Sequence, residues 1–197
     1  MKKPILLPVL SLVLAAVILL ATAFGLNGIA AKNAQAEHLK LMQTLLPGAE
    51  VFTVEAYSGE DANIVSVHKA ENGFVIETVT YGYAGNITML IGVSNEGKVT
   101  GLVVRDMSET FGLGAQALTD HVFLAQFLNS SGSFAVATAG ADAFSGATGE
   151  TEGEAEVNVD AITGATVTSK AIVRCVNSAV AYVTGADVAS SATSWGG

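Results

Sequence analysis

The sequence predicts an α+β chain: a single N-terminal transmembrane helix, followed by a domain with a mainly antiparallel sheet and a few helices. Three observations carry this. Ile5 to Leu26 contains no charged residue. Strand-like runs recur between residues 51 and 105, with turn signals at Asn72-Gly73 and Glu96-Gly97. A hydroxyl-rich turn, Asp160 to Ser169, then opens an apolar helix at Lys170-Ala171-Ile172-Val173.

The elements follow in order. About 20 apolar residues at 1.5 Å each cross a hydrocarbon core of roughly 30 Å. Lys2 and Lys3 precede the span and Lys32 follows it, and the N-terminal pair argues for a cytoplasmic N-terminus. Residues 1–31 are therefore expected to be a cytoplasmic N-terminus and transmembrane helix. A cleaved signal peptide is the competing expectation, with small-x-small sites at Ala21-Thr22-Ala23 and Ala34-Gln35-Ala36. The apolar core exceeds the usual secretory length, which favours a retained anchor. No cysteine near the span could carry a lipid.

Residues 32–50 read as a stalk, helix-permissive to residue 46 and ended by Pro47-Gly48. The domain is expected over 51–185, with strands near 51–57, 64–70, 73–81, 87–94 and 99–105. An amphipathic helix is expected over 115–128, with Leu118, Val122, Phe123 and Phe127 on one side. His121 falls beside that face, as a surface residue. One short strand is expected near Phe134–Thr138, within a Ser/Gly/Ala/Glu-rich stretch, and residues 186–197 read as a flexible tail.

Charge narrows the function. The 197 residues carry a formal net charge of −9, and no Lys or Arg occurs between Arg105 and Lys170. Nothing there could neutralise phosphates along a nucleic acid, so nucleic-acid binding is excluded. His38 and His68 are isolated, and no metal site is expected. Cys175 is the only cysteine, so no intrachain disulfide can form. It falls among apolar residues and reads as a buried structural thiol. No residue is expected to act as a catalytic acid, base or nucleophile.

The turn Thr163-Gly164-Ala165-Thr166 admits two readings. One is a Ser/Thr N-cap with a glycine turn. The other is an anion site: the orphan N–H groups and dipole of a helix's first turn attract a phosphate, and Gly164 and Ala165 let backbone come close to it. Asp160-Ala161-Ile162-Thr163-Gly164-Ala165-Thr166-Val167-Thr168-Ser169 resembles the flavin-attachment signature of the FMN-binding domain family. That family includes the G subunit of Rnf electron-transport complexes and the C subunit of sodium-pumping NADH:quinone reductase. The resemblance implies covalent FMN, its phosphate esterified to Thr166. Asp160, Thr163, Gly164, Ala165, Thr168, Ser169 and Lys170 would surround it. Arg174, one turn beyond Lys170, is a further candidate for phosphate contact. A second such core, Ser145-Gly146-Ala147-Thr148, runs into Gly149-Glu150-Thr151-Glu152, where carboxylates repel a phosphate and no helix begins.

Two upstream segments extend the resemblance. Tyr81-Gly82-Tyr83-Ala84-Gly85 and the following strands are similar to the family's G-Y-x-G hairpin. Ser108-Glu109-Thr110-Phe111-Gly112-Leu113-Gly114-Ala115 resembles its E-T-P-G-L-G segment, with Phe111 in place of the usual proline. Glu109, Thr110, Gly112, Leu113 and Gly114 are thereby expected to lie against the flavin. The implied protein is an electron-carrier subunit of an Rnf-type, ion-translocating ferredoxin:NAD oxidoreductase in the bacterial inner membrane, single-pass, with its FMN domain extracytoplasmic. Its implied partners are the other membrane and peripheral subunits, membrane lipid, and a flavin transferase for maturation. A component like the C subunit of the quinone reductase and a stand-alone extracytoplasmic FMN electron-transfer protein are the alternatives. A pilin-like surface protein would need a Glu early in the apolar run, and none occurs between Pro4 and Leu26.

Overall fold

The computed structural model describes residues 6–108, 120–137 and 157–186, and their side chains apart from 6–8 and 18–31. Two compact units divide the chain, Met1–Leu41 and Met42–Gly197. The first consists of most of helix α1, Leu6–Leu45. Among the described residues no helix is long and apolar enough to cross a membrane. Much of the apolar span lies on positions 18–31, whose side chains are outside the described ones.

The second unit is built on five strands in chain order. These are β1 (Thr53–Glu55), β2 (Ile64–Ala70), β3 (Gly73–Tyr81), β4 (Asn86–Ser94) and β5 (Val99–Met107). Each pairs antiparallel with the next. β2 and β3 begin and end where the sequence predicts, because Asn72-Gly73 forces the reversal between them. β1 is shorter than predicted, three residues that are all exposed.

Three elements follow: α2 (His121–Ala125), β6 (Phe134–Ala137) and β7 (Val157–Asp160). The closing helix is α3 (Thr166–Thr184). α3 covers one face of the sheet, where Ile76, Met89 and Ile91 meet Ile172, Val176 and Ala179 in one core. Burial there removes apolar area from water and supplies the main driving force. On the opposite face lies the C-terminal end of α1. A Cβ on Gly92 would collide with the Leu45 carbonyl, and one on Gly101 would stand 2.9 Å from Leu45 Cα. Thr100 Oγ1 donates to that same carbonyl at 2.6 Å.

The predicted helix over 115–128 is corrected. Its described part is a single five-residue helix, and positions 115–119 lie outside the described residues. Asp120 caps it, its Oδ1 accepting from Val122 N at 2.9 Å and Phe123 N at 3.2 Å. Asn129, at φ +60°, then turns the chain so that its N–H reaches Val99 O at 2.8 Å. Phe123 and Phe127 are buried as expected, but Val122 is 79% exposed. In so short a helix the two phenylalanines, four apart, define the inner side, and Val122 points away.

β7 is absent from the sequence reading. It pairs with β6 in parallel, Phe134 opposite Val157 and Ala137 opposite Asp160.

Candidate functional site

β7 delivers the chain to the hydroxyl-rich turn. Ile162 packs against the core, and Ala165 N donates to Ile162 O at 2.9 Å, closing a four-residue turn. Gly164 occupies its third position at φ +80°, a conformation L side chains resist. α3 begins at Thr166, with Ala165 as N-cap and no side-chain cap hydrogen bond. The Ser/Thr cap is thus not what this turn builds. No acidic residue sits in the first turn of α3, so its dipole faces no competing carboxylate on the helix itself.

The hydroxyl residues divide into two sets. Thr163 is exposed and Thr166 is half-buried. Thr168 and Ser169 are buried, at 1% and 0% exposure. Ser169 Oγ donates to Ala165 O at 3.0 Å and accepts from Ile162 N at 3.2 Å. It ties both ends of the turn to the helix from beneath, and so holds the turn rather than facing outward. Lys170 is exposed and stands four residues after Thr166, on the same helix face.

Arg174 is otherwise engaged: its Nη2 donates to Tyr81 O at 2.9 Å. Its burial lowers the guanidinium pKa, the neighbouring Cys175 opposing this. Thr80 Oγ1 donates to Ala171 O at 2.9 Å, so the end of β3 is bound to α3 at two points. The hairpin beyond it closes by Gly82 N to Gly85 O, 2.8 Å. A Cβ on Gly85 would stand 2.6 Å from Ser108 Cβ, so only glycine admits the chain leaving β5. Ser108 N donates to Asn86 O at 3.0 Å.

The hairpin, the start of the Ser108–Ala115 segment and helix α3 are therefore joined by direct contacts. Tyr81 and Tyr83 are exposed beside them, at 63% and 70%. Glu109, Thr110, Gly112, Leu113 and Gly114 lie outside the described residues, as does the Ser145–Thr148 copy.

Two side-chain amides escaped the sequence reading. Asn177 Nδ2 donates to Phe134 O and its Oδ1 accepts from Phe134 N, both at 2.9 Å. Gln126 does likewise at Asp160, accepting from its N at 2.9 Å and donating to its O at 3.4 Å. Only the Val157-Asn158-Val159-Asp160 alternation could have signalled the strand that Gln126 serves. Among the described residues no group of three His, Cys, Asp or Glu could hold a metal ion.

The arrangement fits a phosphate ester. It offers an uncapped helix start, a glycine at positive φ, a half-buried threonine in the first turn and a lysine on the same face.

Residues 82–181 match the family described as the FMN-binding domain. The chain is 34% identical over 165 residues to the G subunit of the ion-translocating oxidoreductase complex of Methanosarcina acetivorans, covering 77% of this chain and 78% of that one. It is 36% identical over 109 residues to the G subunit of the Na(+)-translocating ferredoxin:NAD(+) oxidoreductase complex of Acetobacterium woodii, covering 55% of this chain and 47% of that one. The G subunit of the proton-translocating ferredoxin:NAD(+) oxidoreductase complex of Clostridium ljungdahlii is 35% identical over 111 residues, covering 56% and 53%. The chain thus spans about half the length of these last two relatives. The crystal structure of Shewanella oneidensis NqrC is similar at a TM-score of 0.44, with 17% identity over 73% of each chain. Matching the family's domain over residues 82–181, and 34% identical to a relative of which it covers 78%, the chain belongs to the FMN-binding domain family.

Proposed function

We propose that this chain is the flavin-carrying subunit of an Rnf-type, ion-translocating ferredoxin:NAD oxidoreductase, with FMN esterified through its phosphate to Thr166. The observation that carries the reading is the Thr166 hydroxyl itself. It is half-exposed on the first residue of a 19-residue helix whose N-cap supplies no side chain. The first-turn amides and dipole favour an anion there. Gly164 leaves room beside it, and Lys170 adds a cation to the same face. Asp160 and Thr163 flank the turn on its exposed side.

When bound, FMN supplies the electron-transfer chemistry of its ring, and the protein supplies position and potential. Tyr81, whose carbonyl is held by Arg174 of α3, and Tyr83 are exposed and would offer aromatic rings to a flavin. An ester keeps the cofactor in place without relying on affinity, which suits a chain of net charge −9.

The anchor and the partners belong to the same reading. Leu10, Leu12 and Leu14 on α1 are 60% exposed or more, an apolar surface suited to lipid. Together with the lysine asymmetry this supports a single-pass helix and an extracytoplasmic FMN domain. The relatives, named as subunits of multi-subunit complexes, support other members of the complex as partners, and covalent attachment calls for a flavin transferase.

Co-expression with a flavin transferase tests the proposal. The intact mass should rise by one FMN less one water, and the band should fluoresce on a denaturing gel. Thr166→Ala should abolish the fluorescence, while Thr148→Ala should leave it. The reverse pattern would overturn the assignment.

A further inference from the structure

We propose that Gln126, outside the flavin-attachment motif, is a positioning residue for esterification of Thr166. The inference rests on the reading of Thr166 just given. A strand residue directs its N–H and C=O to the same edge. At Asp160, the last residue of β7, both groups meet the Gln126 carboxamide, Oε1 accepting at 2.9 Å and Nε2 donating at 3.4 Å. One side chain thus does there what a neighbouring strand would do.

Gln126 is itself firmly placed. It follows α2 directly, between Phe123 and Phe127, which are 2% and 0% exposed. Those rings stack edge to face at 5.5 Å, and Phe127 lies 5.3 Å from Phe134 at the head of β6. Through Gln126 the core therefore fixes the strand end from which the turn departs, and Ser169 fixes the turn itself at Ile162 and Ala165. Thr163 to Thr166 is held between two anchors, and only the Ser169 anchor belongs to the motif.

The step to be positioned is a phosphoryl transfer. The Thr166 Oγ attacks the flavin-side phosphorus of a flavin dinucleotide, forming the new O–P bond. The pyrophosphate bond breaks, the nucleoside monophosphate leaves, and the hydroxyl proton passes to solvent. No electrons change hands. Such a transfer depends on where the hydroxyl sits, and small misplacements are costly in rate. Asp160 is exposed, so water can satisfy its backbone if the clamp is lost, at little cost in stability. Loss of Gln126 should therefore slow esterification far more than it destabilises the fold.

The test uses the full chain, a purified flavin transferase and flavin adenine dinucleotide. Initial rates of covalent fluorescence are measured for wild type, Gln126→Met, Gln126→Glu and Thr166→Ala, each well below its melting temperature. Gln126→Met keeps the length but not the hydrogen bonds and should be about tenfold slower, with nearly unchanged melting. Gln126→Glu still accepts from Asp160 N and should fall between. A wild-type rate in Gln126→Met, or a loss matching only its unfolded fraction, overturns the positioning role while leaving Thr166 as the attachment site. An unlabelled wild type, or a labelled Thr166→Ala, instead overturns the reading of Thr166 and the inference with it.

Discussion

Thr78 and Thr80 stand on the same face of β3, both buried against α3, yet their hydroxyls have opposite fates. Thr80 Oγ1 donates to Ala171 O and lies 3.2 Å from Cys175 Sγ. Thr78 Oγ1 is fully buried with no hydrogen bond of adequate geometry, though it lies near enough to Cys175 to favour its thiolate. Thr80→Val should therefore cost about 1 kcal/mol, and Thr78→Val should be neutral or stabilising by up to about 1 kcal/mol. Urea midpoints of the two variants check this, and equal losses would contradict it.

Burial is the main reason the Cys175 thiol titrates above its ordinary range, with the Thr78 and Thr80 hydroxyls and Arg174 pulling it down and Asp61 pushing it up. The folded state then holds the thiol proton longer than the unfolded chain. That contribution is complete below the unfolded pKa of roughly 8.5 and is lost as pH rises toward the folded value. In the alkaline window wild type should lose up to roughly 1 kcal/mol per pH unit more than Cys175→Ala. Stability of both proteins measured from pH 7 to 10 tests it, and parallel curves would refute it.

At the scale of elements, paired glycines decide how a helix end can lie on a sheet. Gly92 and Gly101 face each other across β4 and β5, and both present bare backbone to Leu45. The carbonyl there is held by Thr100. Gly92→Ala should push this helix end off the sheet at a cost of about 1–3 kcal/mol, as overpacking does elsewhere. Gly185→Ala, where a Cβ would meet nothing within 4 Å, should cost less, the strain of its φ of +66° being its main penalty. Thermal melts of the two variants compare them directly, and equal shifts would argue against the close approach.

For the whole molecule, the densest run of exposed apolar side chains among the described residues lies in the first unit. Residues 9–17 of α1 are all exposed, whereas Met42–Gly197 carries its own core. A chain shortened to begin at Lys32 should move from the membrane fraction to the soluble one. It should still accept FMN at Thr166, because every described contact of the turn lies in the second unit. Fractionation with in-gel fluorescence reads both outcomes. A full-length protein found soluble would contradict the anchor.

The local features of this protein were legible in its sequence. Asn72-Gly73 imposes a reversal wherever it falls between β-forming runs, so β2 and β3 could be bounded to the residue. The Thr163–Ser169 pattern marks a glycine turn and a helix start by short-range sterics alone, and with the two upstream motifs it pointed to the family. What the residues could not disclose depends on contacts distant in sequence. Val122 carries the right spacing for a buried face, yet the shortness of α2 and the burial of Phe123 and Phe127 turn it outward. Ser169 reads as one more hydroxyl near a ligand, but packing of α3 directs it inward to staple the turn. Arg174 is half-buried on a carbonyl 93 positions away. Gln126 and Asn177 meet backbone 34 and 43 residues distant. Periodicity and turn chemistry act over a few residues, so the sequence could determine most of the antiparallel sheet and the glycine turn before α3. Which side chains hold that turn was decided by the fold, because it alone brings such distant groups to hydrogen-bonding distance.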